Sequence, residues 1–173
     1  SDLAFKDAAA QADVVITSGG VSVGEADFVK ETLDNLGEVN FWRIAMKPGK
    51  PLAFGKVDDA WFFGLPGNPV SAMVTFLQFV RPAINHLSGK ARVTPFRIPM
   101  RCINKLKKRP GRLEFQRGIM EQDEKGETVV RGAGHQGSHI LRSMSIADCF
   151  IVLPAENSGV EAGDWVEVEP FQS

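Results

Sequence analysis

Lys47-Pro48-Gly49-Lys50-Pro51 holds two ammonium groups on a backbone whose freedom two prolines restrict. Two such cations about 4 Å from a dianion would each contribute on the order of 4 kcal/mol at an effective dielectric of 20, before desolvation is subtracted. A charged oxyanion suits that chemistry, and a solvated surface turn accounts for the same residues without a ligand. A second candidate is the small-residue stretch Ser18-Gly19-Gly20-Val21-Ser22-Val23-Gly24. Its glycines permit positive φ and close backbone approach, and Ser18 and Ser22 add hydroxyls, so a phosphate would fit. The glycine spacing matches neither the dinucleotide fingerprint nor the P-loop, and a tight turn is the alternative. Just beyond it, Glu25 and Asp27 either complement a helix macrodipole or hold Mg²⁺ against ligand phosphates.

Three further stretches carry polar chemistry. Leu65-Pro66-Gly67-Asn68-Pro69 reads as a turn and helix cap, and it also sets a helix N-terminus with free amides, a second seat for an anion. Arg97, Arg101, Lys105, Lys107, Lys108, Arg109, Arg112 and Arg117 are accompanied by a single acid, Glu114. That run is either a solvated, edge-protecting face or an anion site. Gly134-His135-Gln136-Gly137-Ser138-His139 has too few ligands for zinc and no acid placed to complete a serine triad, so it reads as a polar loop lining a pocket.

These residues need elements to position them. Up to about Gly89 the apolar runs alternate between strand and helix periods, the pattern of an α/β fold. A helix over Asp2 to Gln11 precedes a strand over Ala12 to Thr17, read as buried on both faces. Ala26 to Leu36 reads as an amphipathic helix, and Val39 to Ala45, Pro51 to Phe54 and Ala60 to Gly64 as strands. The clearest helix starts at Asn68-Pro69 and keeps Val70, Met73, Leu77, Val80, Ile84 and Leu87 on one face for about five turns, with a kink expected at Pro82. From about Lys90 the signals are β: Phe96 to Cys102, Leu113 to Glu121, Thr128 to Gly132, Cys149 to Leu153 and Trp165 to Glu169, with turns at Glu124 to Gly126 and Val160 to Asp164. A small all-β barrel or sandwich follows from these.

Composition narrows the function classes. The chain has 173 residues, a formal net charge of -1, 43% hydrophobic and 24% charged residues. That suits one common domain or two small ones and argues against disorder and against bulk nucleic-acid binding. Its apolar runs stay short of the roughly 18 residues a membrane span needs. No signal-peptide order opens the chain, so a cytoplasmic protein is the default expectation. Cys102 and Cys149 have no partner at metal spacing and read as ordinary buried thiols.

Taken in order, TSGGVSVGEADF, FWRIAMKPGKPLAFG, GLPGNPVSA, GRLEFQRG, GHQGSH and GDWVEVEPF resemble the molybdopterin molybdenumtransferase (MoeA) family, which is similar to the C-terminal region of gephyrin. The resemblance implies that residues 1–89 are a partial molybdopterin-binding three-layer α/β domain and that 90–173 are a C-terminal β-barrel-like domain. It implies a transferase that inserts molybdenum from molybdate into adenylylated molybdopterin and releases AMP with Mg²⁺. The alternative is a non-catalytic pterin-binding or scaffold module of gephyrin type.

Carried over residue by residue, the resemblance gives Asp27 the metal or catalytic carboxylate role and makes Lys47 and Lys50 the other catalytic groups. Ser18, Gly19, Gly20, Ser22, Pro66, Gly67 and Asn68 would seat the pterin or its phosphate. Lys47, Lys50, Pro51, Arg117 and Ser138 would bind molybdate, with Arg43 adding positive charge nearby. The implied partners are molybdopterin-AMP, molybdate, a second copy in a homodimer and the molybdopterin adenylyltransferase, with neither nucleic acid nor membrane. The chain begins inside the family's pterin-binding domain, so it reads as a fragment, inactive alone, with an unpaired sheet edge. Both halves are expected to contribute to one cationic hollow.

Overall fold

The computed structural model describes residues 2–19, 30–31, 33–35, 37–49, 51–91, 94–134 and 144–172. They form two compact units, one of Ser1–Ile44 and Gly49–Val93, the other of Ala45–Pro48 and Thr94–Ser173. Each has its own sheet.

The first unit opens with α1 (Asp2–Gln11) and β1 (Val14–Ser18), followed by β2 (Gly37–Arg43), β4 (Pro51–Val57) and β5 (Ala60–Leu65), while β3 (Met46–Lys47) leaves for the second unit. The sheet order is β1-β5-β4-β2, with β1 parallel to β5 and the other pairs antiparallel. Alternation along β4 and β5 gives the sheet two apolar faces. Ala53, Val57, Ala60 and Phe62 pack with Ala9 and Phe5 of α1 and with Leu33. Leu52, Phe63 and Leu65 pack instead with Phe76, Phe79, Val80, Ala83 and Ile84. Helical residues on both faces make this the expected three-layer α/β arrangement. Of the second expected helix, residues 30, 31, 33 and 34 are helical, and its opening lies outside the described residues.

Two expectations for this unit need correction. The strand expected to be buried on both faces is β1, yet Ile16 is 41% exposed. Among the described residues β1 pairs only with β5, so its apolar side chains have fewer neighbours than those of the central β4 and β5. The long helix also differs in its middle. α2 (Pro69–Thr75) passes through a π-helical turn, Phe76–Val80, into α3 (Arg81–Leu87). The Arg81 N–H reaches the Phe76 carbonyl five residues back, which widens the turn ahead of Pro82 and accommodates a ring that cannot donate. Val70, Val74, Leu77 and Val80 form the buried stripe, and beyond the π turn Leu87 is 52% exposed.

The second unit is a closed barrel. β6 (Ile98–Cys102), β7 (Leu113–Gln122), β8 (Thr128–Gly132), β9 (Cys149–Leu153) and β10 (Trp165–Pro170) run in the order β7-β8-β6-β10-β9. The extra β7–β9 pairing closes the circle. Closure removes edges and explains why every residue of β9 is buried. Met100, Cys102, Val130, Cys149, Ile151, Leu153, Val166 and Val168 fill the interior with Leu106 and Val160. Both cysteines are free buried thiols, and burial pushes both above the ordinary thiol range. Asp123 shapes the β7–β8 hairpin: its carboxylate accepts from the Lys125 and Glu127 amides, each at 2.9 Å, and Gly126 takes φ +79°. No helix among the described residues is long and apolar enough to cross a membrane.

Candidate functional site

β1 and β5 are parallel, so their carboxyl ends lie side by side, where open α/β sheets place ligands. The two small-residue motifs continue from those ends and meet. The Gly19 amide donates to the Leu65 carbonyl at 3.0 Å, and the Ser18 hydroxyl lies 3.5 Å from the Pro66 carbonyl. Gly19 has φ +86°, a conformation that favours glycine. A methyl placed on Gly67 would come within 3.6 Å of the Gly19 α-carbon. Ser18, Gly19, Pro66, Gly67 and Asn68 therefore form one continuous rim on the first unit. Gly20, Ser22 and Asp27, assigned to the same loop, lie outside the described residues.

The structure corrects one reading of that rim. Asn68 Oδ1 accepts from the Val70 amide at 3.0 Å and the Ser71 amide at 3.1 Å, and the Ala72 amide goes to the Asn68 carbonyl at 2.8 Å. Pro69 has no amide hydrogen. The first turn of α2 thus has no spare donor at those positions, and the free-amide anion seat expected there is taken by the cap. What the rim offers a ligand is close backbone approach at Gly19 and Gly67.

The proline-lysine motif is divided between the two units. Lys47 ends β3, a two-residue strand that pairs in parallel with β7 at Met46↔Leu113 and Lys47↔Glu114. A cis peptide joins Lys47 to Pro48. Pro51 opens β4 in the first unit and lies opposite Arg43. Arg43 borders an apolar hollow of about 370 Å³ with Trp42, Ile44, Leu52, Phe54 and Phe63. Lys50 lies outside the described residues.

In the barrel unit the Lys47 ammonium sits 3.5 Å from the Glu114 carboxylate, which the Gln116 side-chain amide also contacts. Arg117 lies three residues along β7 from Glu114, so alternation sends its side chain to the other face of the strand. It is 3% exposed, and burial holds its guanidinium below the usual arginine range. Ser138, with His135 and His139, lies outside the described residues. Sequence reasoning missed Gln116, whose amide also donates to the Lys107 carbonyl at 2.8 Å. The available signal was Glu114 itself, the lone acid of a basic run. Among the described residues no group of three or more His, Cys, Asp or Glu could hold a metal.

Two family patterns match nearly the whole chain: a probable molybdopterin binding domain over residues 2–86 and the MoeA C-terminal region (domain IV) over residues 99–171. The chain belongs to the MoeA family. It is 54% identical over 170 residues to the molybdopterin molybdenumtransferase of Haemophilus influenzae, covering 97% of this chain and 42% of that protein. The match to gephyrin of Dictyostelium discoideum is 35% identical over 184 residues, covering 93% of this chain and 26% of that protein. Among solved structures, the molybdopterin biosynthesis MoeA protein of Pyrococcus horikosii superposes with a TM-score of 0.80 at 28% identity, covering 99% of this chain and 40% of the other. The MoeA-family chain thus spans well under half the length of these relatives.

Proposed function

We propose that this MoeA-family chain provides the pterin-binding and barrel domains of a molybdenumtransferase of molybdenum cofactor biosynthesis, acting on adenylylated molybdopterin and molybdate and releasing AMP. The observation that carries the reading is the rim where Gly19 meets Leu65 and Gly67, at the carboxyl ends of two parallel strands. The identity to a relative named for this transfer supports it along almost the whole chain.

In this reading Ser18, Gly19, Gly20, Ser22, Pro66 and Gly67 seat the pterin phosphate, the glycines through backbone proximity, and Asn68 holds the helix cap that borders them. Lys47, Lys50, Pro51, Arg117 and Ser138 receive molybdate, a tetrahedral dianion that needs both countercharge and donors. Asp27 acts as the catalytic carboxylate and supplies the protein's ligand to Mg²⁺, which would neutralise phosphate charge. Substrate oxygens and water would complete its shell, as is usual for Mg²⁺. A homodimer and the molybdopterin adenylyltransferase are the proposed protein partners, and the cytoplasm the proposed location.

The test uses a protein of the relatives' full length that carries this chain. Adenylylated molybdopterin, Mg²⁺ and molybdate are supplied, and AMP is measured. Release that depends on molybdate and is lost in Asp27→Ala supports the reading. Pterin binding without AMP release above the Asp27→Ala level selects the non-catalytic module instead.

A further inference from the structure

Seven of the eight cations of the basic run fall into two groups once their partners are known, Arg117 being buried on β7. Arg97 pairs with Glu169, Arg101 with Glu127 and Lys105 with Glu161, at 3.5, 3.8 and 3.5 Å. These three behave as the solvated, charge-balanced face. Among the described residues Lys107, Arg109 and Arg112 have no carboxylate within ion-pair distance. Together with Lys47, Lys108 and the lone acid Glu114 they surround one cavity of about 660 Å³. Glu114 is engaged by Lys47 and Gln116, so its charge is already matched.

The loop that carries these cations is pinned. Lys108 is 8% exposed, and its ammonium donates to the carbonyls of Arg109, Ala155 and Asn157 at 3.1, 3.3 and 3.0 Å. All three N–H bonds of the ammonium are used on neutral oxygens, which leaves a buried positive charge in the wall of the cavity without a carboxylate. The Gly111 amide donates to the Ala155 carbonyl at 2.7 Å, and Gln116 holds the Lys107 carbonyl at 2.8 Å. A loop fixed at both ends and in its middle presents its cations with little ordering left to lose on binding. Like charges gathered around one hollow repel in the absence of a ligand, and a polyanion relieves that repulsion.

We propose that this cavity is a binding site for a small ligand carrying adjacent phosphate groups, of the pyrophosphate class. Its size falls within the roughly 300–1,000 Å³ range of small-molecule sites. One tetrahedral anion would reach only part of a cation set drawn from β3 and the 107–112 loop, whereas linked phosphates reach more of it. Arg109 and Arg112 supply forked donors that match phosphate oxygens. Among the described residues the cavity lining contains no aromatic ring, so these residues give a nucleobase nothing on which to stack, and the recognition they offer is of phosphate. The cavity lining belongs to the barrel unit and shares Lys47 with the residues assigned to molybdate, but the inference does not rest on that reading.

Calorimetric titration of this 173-residue chain with pyrophosphate, tripolyphosphate, ATP, inorganic phosphate, sulfate and molybdate tests it. Pyrophosphate, tripolyphosphate and ATP are expected to bind alike, about tenfold or more tighter than sulfate or inorganic phosphate, and more weakly as salt is raised. Arg109→Ala combined with Arg112→Ala is expected to weaken pyrophosphate about tenfold or more with an unchanged melting temperature, and Arg109→Lys with Arg112→Lys to keep part of the affinity. Undetectable pyrophosphate binding at low salt overturns the proposal, as does affinity equal to wild type in the double alanine variant. A single-stranded oligonucleotide that binds more tightly than tripolyphosphate at equal phosphate count also overturns it, in favour of a nucleic-acid surface. AMP release in the full-length test above reports on Asp27 and can succeed or fail independently.

Discussion

The rim of the α/β sheet and the cationic cavity of the barrel unit are built by different physical means. At the rim the chain uses geometry: glycines at positions 19 and 67 bring backbones together, and the helix cap consumes the donors that the first turn of α2 would otherwise present. The cavity uses fixed charge, with cations held on a loop that neutral carbonyls tie down. A helix N-terminus is therefore a poor guide to an anion site until its amides have been accounted for. A basic run is an equally poor guide until its carboxylate partners are known.

Removing the ammonium that anchors the cavity is the change expected to separate the two regions most. In Lys108→Met three carbonyls lose a charged donor inside a nearly buried site, which costs about 3 kcal/mol of barrel stability. Pyrophosphate affinity should fall as the loop loosens, while properties of the rim stay unchanged. Urea unfolding followed by the fluorescence of Trp165, the barrel's tryptophan, checks this, and a loss below about 1 kcal/mol would mean the loop is held mainly by its backbone bonds.

The interior of the same barrel excludes the charge that the cavity collects, and pH exposes the contrast. Burial raises Cys149 far above the ordinary thiol range, with the Asp148 carboxylate acting in the same direction. The unfolded chain releases that proton once pH passes the ordinary thiol value, whereas the folded chain keeps it. The unfolded state then binds fewer protons, so stability falls as pH rises, by up to about 1.4 kcal/mol per pH unit for this group. Denaturation midpoints measured between neutral and strongly alkaline pH should decline less steeply in Cys149→Ala.

At the rim the expected effects are smaller. Asn68→Ala frees the Val70 and Ser71 amides and should cost about 1 kcal/mol, with Asn68→Asp recovering most of it. If the alanine variant binds phosphate while wild type does not, the cap is what keeps this helix end from acting as an anion seat.

What could be read from the sequence was what is local in the chain. Strands such as Thr128–Gly132 and Cys149–Leu153 were legible to the residue because each is a local run of β-favouring side chains between turns. The cap at Asn68 was equally local. β3 was not legible: two residues carry no periodicity, and its partner Leu113–Glu114 lies far along the chain. The π-helical turn escaped for a related reason, since Pro82 predicts disturbance but not whether the helix kinks or widens. At the candidate site, Glu114 stood out as a lone acid. Glu127, Glu161 and Glu169, which pair with three of the eight cations of the run, come from strands and turns that only barrel closure brings near. Burial of Lys108 is likewise a tertiary fact that no property of the run Lys107-Lys108-Arg109 indicates.

The smallest predicted effect bears most directly on that division of the basic run. Lys105 and Glu161 form an exposed pair, with 68% and 73% of their side-chain surfaces open. Water screens such a pair and side-chain entropy opposes it, so Lys105→Ala should change stability by about 0–0.5 kcal/mol. It should also leave pyrophosphate affinity within about twofold of wild type, because the Lys105 charge is already balanced and lies outside the cavity. Arg112→Ala, also at an exposed position but without a carboxylate partner among the described residues, should be as mild in stability and much larger in affinity. If the two variants weaken pyrophosphate equally, binding follows the net charge of the face and the cavity has no special part in it.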